Sequence, residues 1–237
     1  MKLCMFHPLD HPLERGWVGR IEGERVIHLA AQTLQSFFTG GGTAREHAEY
    51  PLAEVRLLAP VLHPPSIRVF DDEASFEFAN PAAILGPDGS IPRRPPPASD
   101  TVSQGLVVAP RLAGIVGGGS RLAAFTLLAE WCDTAREAPK DRDFALGLGP
   151  AAIATGELGT SGRVTVVVRV NGAERSRSLV DGFDWDAAAA LAADGTRLLP
   201  GDLLAAPSSG NVEGIPPGSA VELEVDAIGV LTQRVVG

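Results

Sequence analysis

Apolar positions along this chain come in short runs separated by single Gly and Pro residues rather than by long polar stretches. That spacing suits many strands joined by turns better than a helical bundle. Residues 17–21 and 25–29 are β-rich runs flanking Glu22-Gly23-Glu24, which reads as a hairpin. Residues 30–38 read as one short helix, stopped by Gly40-Gly41-Gly42. Two apolar runs follow at 106–109 and 112–116, the second ending at Gly117-Gly118-Gly119. Ser120 then reads as the N-cap of the best helix in the chain. In it Leu122, Phe125, Leu128 and Ala129 recur at three- and four-residue spacing, and Pro139 closes it. In the last third, residues 164–170 meet Asn171-Gly172, the strongest short hairpin signal in the sequence. Residues 185–193 predict an alanine-rich helix capped by Asp184. Residues 221–225 alternate cleanly and turn through 226–229 into 230–236.

These elements predict a β-rich α+β chain in two units, a small β-rich N-terminal domain at 1–62 and a larger domain at 63–237. The proline tract that begins Ile91-Pro92-Arg93-Arg94 cannot join a central strand ladder and reads as an extended surface connection.

Composition narrows the function classes. With 20 basic and 29 acidic residues the net charge is −9, and the one basic clump, Arg93-Arg94, sits inside the proline tract. Nucleic acid is not an expected partner, because phosphate recognition needs clustered Lys and Arg. No window has the roughly 18 apolar residues of a membrane helix, and no signal-peptide core is read, so a cytoplasmic protein is expected. Cys4 and Cys132 form no CxxC and no disulfide framework, and read as two reduced thiols. His7, Asp10 and His11 have a metal-like spacing, but Pro8 and Pro12 argue for loop residues. No GxSxG, GxGxxG or GK[ST] motif is present, so Gly117 to Gly119 reads as a turn and cap.

From Leu122 onward a series of segments falls in a recognisable order. It runs TLLAEW (126–131), KDRDFALGLGP (140–150), VVVRVNG (166–172), LLPGDLL (198–204) and VELEVDAIGVLTQRVV (221–236). FEFANPAAILGP (76–87) lies upstream. This series resembles the C-terminal catalytic domain of the fumarylacetoacetate hydrolase superfamily, and the first 60 residues resemble the small N-terminal domain of many members. The resemblance implies a mixed β-roll or sandwich with a few covering helices. It also implies a homodimer formed through the catalytic domain. Members cleave carbon–carbon bonds in diketo acids, decarboxylate or isomerise 2-oxo acids, or hydrate enols. That chemistry uses a metal to chelate the oxo acid and a donor to hold the enolate.

Lys140 and Asp143 keep the family's lysine-x-x-aspartate spacing ahead of Phe144. The resemblance gives Lys140 the substrate oxygen and Asp143 a substrate-binding role; the alternative is a solvated loop lysine. Glu130 matches the family's metal aspartate on the helix reading of TLLAEW, while an alignment on Thr134-Ala135-Arg136 puts Cys132 there instead. On that helix Glu130, Asp133 and Glu137 would share one face. The family's Glu-x-Glu pair falls at Val102 and Gln104, which leaves Gln104 only a polar substrate contact. One valine and one amide cannot replace two carboxylates around a hard cation, so Mg²⁺ or Mn²⁺ is expected to bind weakly or not at all. Residues 67–74 lack the family's water-activating histidine; Asp71, Asp72 and Glu73 read as an exposed acidic loop, and His63 as a surface turn residue. The substrate-clasping turn falls at Pro207-Ser208-Ser209-Gly210, where Ser208 keeps a hydroxyl donor.

Two functions follow from this reading. One is an enzyme acting on a small-molecule 2-oxo or 1,3-dicarbonyl acid, with Lys140 and Ser208 catalytic and Glu130 a residual metal ligand or base. The other is a non-catalytic relative kept as a partner subunit or ligand-binding module.

Overall fold

The computed structural model describes residues 1–92, 105–158 and 163–236. The N-terminal part comprises β1 (Lys2–Pro8), β2 (Trp17–Glu22), β3 (Arg25–Leu29), α1 (Leu34–Thr39), β4 (Glu46–Pro51) and β5 (Val55–Leu58). Then come β6 (Ile67–Phe70), β7 (Phe76–Phe78), β8 (Ile84–Leu85) and β9 (Gly89–Ile91). Three long strands follow, β10 (Leu106–Val116), β11 (Leu122–Asp133) and β12 (Leu146–Ala154), with α2 (Thr155–Leu158) after them. The chain ends with β13 (Val164–Val170), β14 (Ala173–Val180), α3 (Trp185–Ala193), β15 (Leu203–Ala205), β16 (Val212–Ile215), β17 (Ala220–Val225) and β18 (Gly229–Val235).

Among the described residues, thirteen strands form one sheet along β4-β3-β2-β1-β12-β11-β10-β15-β6-β7, with β5, β8 and β16 pairing off that path. Five others form a second sheet, β14-β13-β17-β18-β9. One face of the long strands, carrying Leu112, Phe125, Leu127 and Trp131, packs on the second sheet through Val166, Val168, Leu223 and Leu231. The opposite face, with Ala113, Ile115, Ala124 and Leu128, packs against Leu3, Met5, Leu34 and Phe37 of the N-terminal part. The fold is therefore the β-rich α+β arrangement expected.

The turns form as their residues dictate. Gly23 takes φ +58° between β2 and β3. Asn171 (φ +52°) and Gly172 (φ +78°) close the β13–β14 hairpin, as a two-residue turn matching strand twist requires. The Asp184 side chain accepts from the Ala187 N–H and caps α3. Helix α1 is shorter than residues 30–38 and begins only after Thr33, whose hydroxyl accepts from the Ser36 N–H.

Three expectations need correction. Leu122–Asp133 is a strand, not a helix. Its apolar residues are not confined to a stripe; they fill both faces, because β11 lies between β10 and β12 with a core on each side. A run that is apolar throughout satisfies any period, and the helical spacing was a subset of it. The runs at 106–109 and 112–116 are one strand that passes through Pro110. Its missing N–H lies on the side of its own carbonyl, which accepts from the Ser209 N–H at 2.9 Å. That is the gap between the β15 contacts at Ala113 to Ile115 and the β16 contacts at Leu106 and Val108. His7, expected in a loop, is a buried residue of β1 with Nδ1 2.8 Å from the Pro8 carbonyl.

The two sheets are bridged by a polar contact inside the core. The Trp131 indole N–H donates to Gln233 Oε1 at 2.6 Å, and both residues are buried. A Cβ at Gly147 would stand 2.3 Å from that oxygen and drive the amide off the indole. Gly147→Ala should therefore cost about 1–3 kcal/mol in urea denaturation. Gly156→Ala, with open space around it, should be close to neutral. Equal effects at the two positions would refute the bridge.

Candidate functional site

The site is built on the β10–β11 ladder. Ala109 stands opposite Glu130, Arg111 opposite Leu128 and Val107 opposite Cys132. Directly paired residues of an antiparallel ladder share a face, so Ala109, Arg111, Glu130 and Cys132 point to one side. Arg111 and Glu130 are both buried, at 4% and 5% exposure. The Arg111 Nε donates to Glu130 Oε2 at 2.9 Å, and Nη1 donates to the carbonyls of Phe70 (2.8 Å) and Ala206 (3.1 Å). Nη2 donates to Asp71 Oδ1 at 3.1 Å, and the Asp71 side chain is 69% exposed.

Ser208 follows from one of those carbonyls. Its hydroxyl donates to Asn211 Oδ1 at 2.8 Å and accepts from the Gly210 N–H at 3.3 Å. With Ala206, Ser209, Glu73 and Phe183 it lines an open cavity of about 270 Å³. Arg111 thus stands behind one wall of that cavity and ties it to Glu130.

Lys140 and Asp143 lie on the turn-rich segment after β11. The Lys140 ammonium meets Asp143 Oδ2 at 2.5 Å, and the Asn80 amide donates to the Asp143 carbonyl at 2.9 Å. The segment is fastened to the strand end by the Asp133 N–H donating to the Asp141 carbonyl at 2.7 Å, and by the Asp133 carboxylate on Arg136. Asp141 Oδ2 also sits 3.8 Å from Cys132 Sγ and 3.1 Å from Arg142 Nε. Burial, then Asp141, pushes the Cys132 thiol above its ordinary value. It is a thiol at neutral pH, a poor ligand and a poor nucleophile.

The strand assignment corrects the carboxylate face. Glu130, Asp133 and Glu137 do not share a helix face: Glu130 and Asp133 are buried strand residues at alternation-breaking spacing, and Glu137 is exposed in the following segment. Asp71, read as an exposed loop acid, is exposed but bound to Arg111. Gln104 and Val102 lie outside the described residues. The geometry joins Glu130 to the Ser208 loop through Arg111, and Lys140 to Asp143. Arg111 was missed by sequence reasoning. Its signal is a lone charge inside the apolar run 106–116, a position that demands a buried partner.

These residues do not fit a tightly held divalent ion. Glu130 already neutralises a guanidinium, and its neighbour across the ladder is Ala109, whose methyl side chain offers no ligand atom. Among the described residues no group of three or more His, Cys, Asp or Glu side chains is arranged to hold a metal.

Breaking the pair on one side should be far worse than replacing both. Arg111→Met strands a buried carboxylate and should cost about 3–5 kcal/mol in chemical denaturation. The double variant Arg111→Met with Glu130→Leu should recover most of that loss. Additive losses in the double variant would show that the two residues are not coupled.

Comparison with known proteins bears on what this site belongs to. Residues 126–236 match the family model described as fumarylacetoacetate (FAA) hydrolase C-terminal, and residues 13–60 match one described as Rv2993c-like, N-terminal. A search of the curated proteins gives no sequence match. Among solved structures, maleylpyruvate hydrolase from Sphingobium sp. SYK-6 superposes with a TM-score of 0.79 at 20% identity, covering 100% of this chain and 99% of the other. The same enzyme in complex with manganese(II) ion and pyruvate gives 0.79 at 19% identity, with coverage of 100% and 99%. The 5-carboxymethyl-2-hydroxymuconate delta-isomerase from Mycobacterium smegmatis gives 0.78 at 21% identity, with coverage of 100% and 99%. At these identities the structural likeness speaks for the fold, and the family models speak for descent. Residues 126–236 belong to the fumarylacetoacetate hydrolase C-terminal family.

Proposed function

We propose that this chain is an enzyme acting on a 2-oxo or 1,3-dicarbonyl (β-keto) acid by stabilising an enolate, with weak or no dependence on Mg²⁺ or Mn²⁺. The observation that carries the reading is the Lys140–Asp143 ion pair within the segment matched by the catalytic family model. An ammonium oriented by a carboxylate, with two-thirds of its side chain exposed, is a donor ready for a developing oxyanion. Asp143 orients it, and the Ser208 hydroxyl holds a carboxylate or carbonyl oxygen of the substrate.

The relatives support the reaction class. They are a hydrolase and an isomerase by name, and one was solved with pyruvate. The residues at hand favour a subset of that chemistry. Carbon–carbon hydrolysis requires an activated water, and residues 67–74 carry no histidine to generate it. Decarboxylation of a β-keto acid breaks the bond to the departing CO₂, leaves its electron pair on the keto oxygen as an enolate and ends with carbon taking a proton from solvent. Tautomerisation adds only a base for the proton on carbon, and neither needs an activated water. A homodimer in the cytoplasm is part of the same proposal.

The buried Arg111–Glu130 pair also favours a second reading, a non-catalytic family member that binds a ligand or a catalytic homologue. A panel of acylpyruvates, oxaloacetate and β-keto acids, assayed with chelator present, separates the two. Turnover should survive chelation, and Lys140→Ala should lower kcat/KM about 10²- to 10³-fold. Unchanged turnover in Lys140→Ala would remove Lys140 from the mechanism. No turnover anywhere on the panel would leave the non-catalytic reading.

A further inference from the structure

Four oxygens converge on the Arg111 guanidinium: Glu130 Oε2, Asp71 Oδ1 and the carbonyls of Phe70 and Ala206. Two carboxylates and two carbonyls are the kind of hard oxygen set that a divalent cation takes. Here the set is closed around a planar cation that is part of the chain and cannot lose its charge by deprotonation. A metal could enter only by competing with the guanidinium for Glu130 and by approaching another positive charge.

The four partners are not equivalent. Glu130 is 6% exposed at its side chain, and the two carbonyls are fixed by the backbone. Asp71 is 69% exposed, so its carboxylate regains full hydration when it swings away. The local charge also favours release, since one guanidinium faces two carboxylates and Glu130 alone neutralises it. The Nη2 edge that Asp71 covers is therefore the exchangeable edge. Ala206, whose carbonyl accepts from the neighbouring Nη1, also lines the cavity with Ser208 and Glu73.

We propose that Arg111 is the fixed cation of this site in place of a divalent metal, and that the carboxylate of an oxo acid binds it by displacing Asp71. The class of ligand rests on the function proposed above; the exchange itself rests on the four contacts. Arg111 is then a substrate-binding residue, Glu130 is the residue that positions it, and Asp71 is an internal competitor for the same edge. Removing the competitor should tighten binding by the inverse of the fraction of time the edge is open, about tenfold if Asp71 holds it nine-tenths of the time.

Oxalate is the probe, titrated calorimetrically into metal-free protein and again with Mn²⁺ present. Wild type should bind oxalate without metal, and Mn²⁺ should leave Kd within about twofold. Asp71→Asn, a substitution at an exposed side chain, should bind oxalate about tenfold more tightly with an unchanged melting temperature. Arg111→Gln should lose oxalate binding; if it does not fold, Asp71→Asn still decides. Oxalate binding that requires Mn²⁺, or an Asp71→Asn affinity equal to or weaker than wild type, would overturn the inference. Turnover on the substrate panel is read separately. Metal-free oxalate binding tightened by Asp71→Asn, with no turnover, keeps this inference and removes the enzymatic reading. Turnover with oxalate binding that requires Mn²⁺ does the reverse.

Discussion

A guanidinium buried in the middle of an apolar strand constrains everything around it. Arg111 sits between Pro110 and Leu112 on β10, and left unpaired there its charge would cost several kcal/mol. Its partners come from three separate places: β11, the end of β6 and the residue after β15. Strands β6 and β15 pair in parallel, Leu203 with Ile67 through Ala205 with Val69, so the two carbonyls emerge side by side at their ends. Even the proline fits this arrangement. Without its N–H, β10 leaves a gap in the ladder through which the 206–209 segment returns to bond the Pro110 carbonyl. The same local geometry positions the arginine, the cavity wall and Ser208.

Strand alternation turns this polar pair away from Trp131, onto the face that also carries Ala113 and Leu128 of the other core. Trp131, adjacent to Glu130 in sequence, points the other way and bonds Gln233 of the second sheet. Consecutive residues thus serve opposite ends of the molecule's economy: one locks two sheets together, the next holds a charge at a cavity. The floor lies at the centre of the sheet that thirteen strands form among the described residues, whereas Lys140, Asp143 and Ser208 lie on connecting segments. Such a division suits binding chemistry, where a fixed charge orients a ligand and loop groups close on it.

What the sequence revealed follows from how local each feature is. Asn171-Gly172, Gly23 and the Asp184 cap are each specified within a few residues, and each forms as expected. Leu122–Asp133 is specified by what covers it, and a segment buried on both faces shows no period that distinguishes strand from helix. The error mattered for the site, since a helix would have grouped Glu130 with Asp133 and Glu137. The strand groups it with Ala109 and Arg111 instead. Lys140 and Asp143 could be singled out because both lie in one short segment, and the ion pair between them is what the structure adds. Arg111–Glu130 spans a hairpin whose existence depended on the strand assignment, so neither partner could be read without it.

Replacing a mobile divalent ion by a tethered guanidinium changes what a site can do. A guanidinium carries one charge spread over a plane, and it recognises a carboxylate well. It does not chelate two oxygens at a point, nor does it lower the pKa of a bound water as a metal does. A site built this way holds an oxo acid by its carboxylate and leaves the carbonyl oxygen to another donor, the role open to Lys140. The absent histidine and the occupied Glu130 then stop being two separate losses. A site with no metal-bound water has no use for a base to activate one, and a carboxylate that positions arginine cannot also serve a metal. On the proposal that Arg111 is the fixed cation of this site, both departures follow from one change, the placement of a permanent positive charge at residue 111.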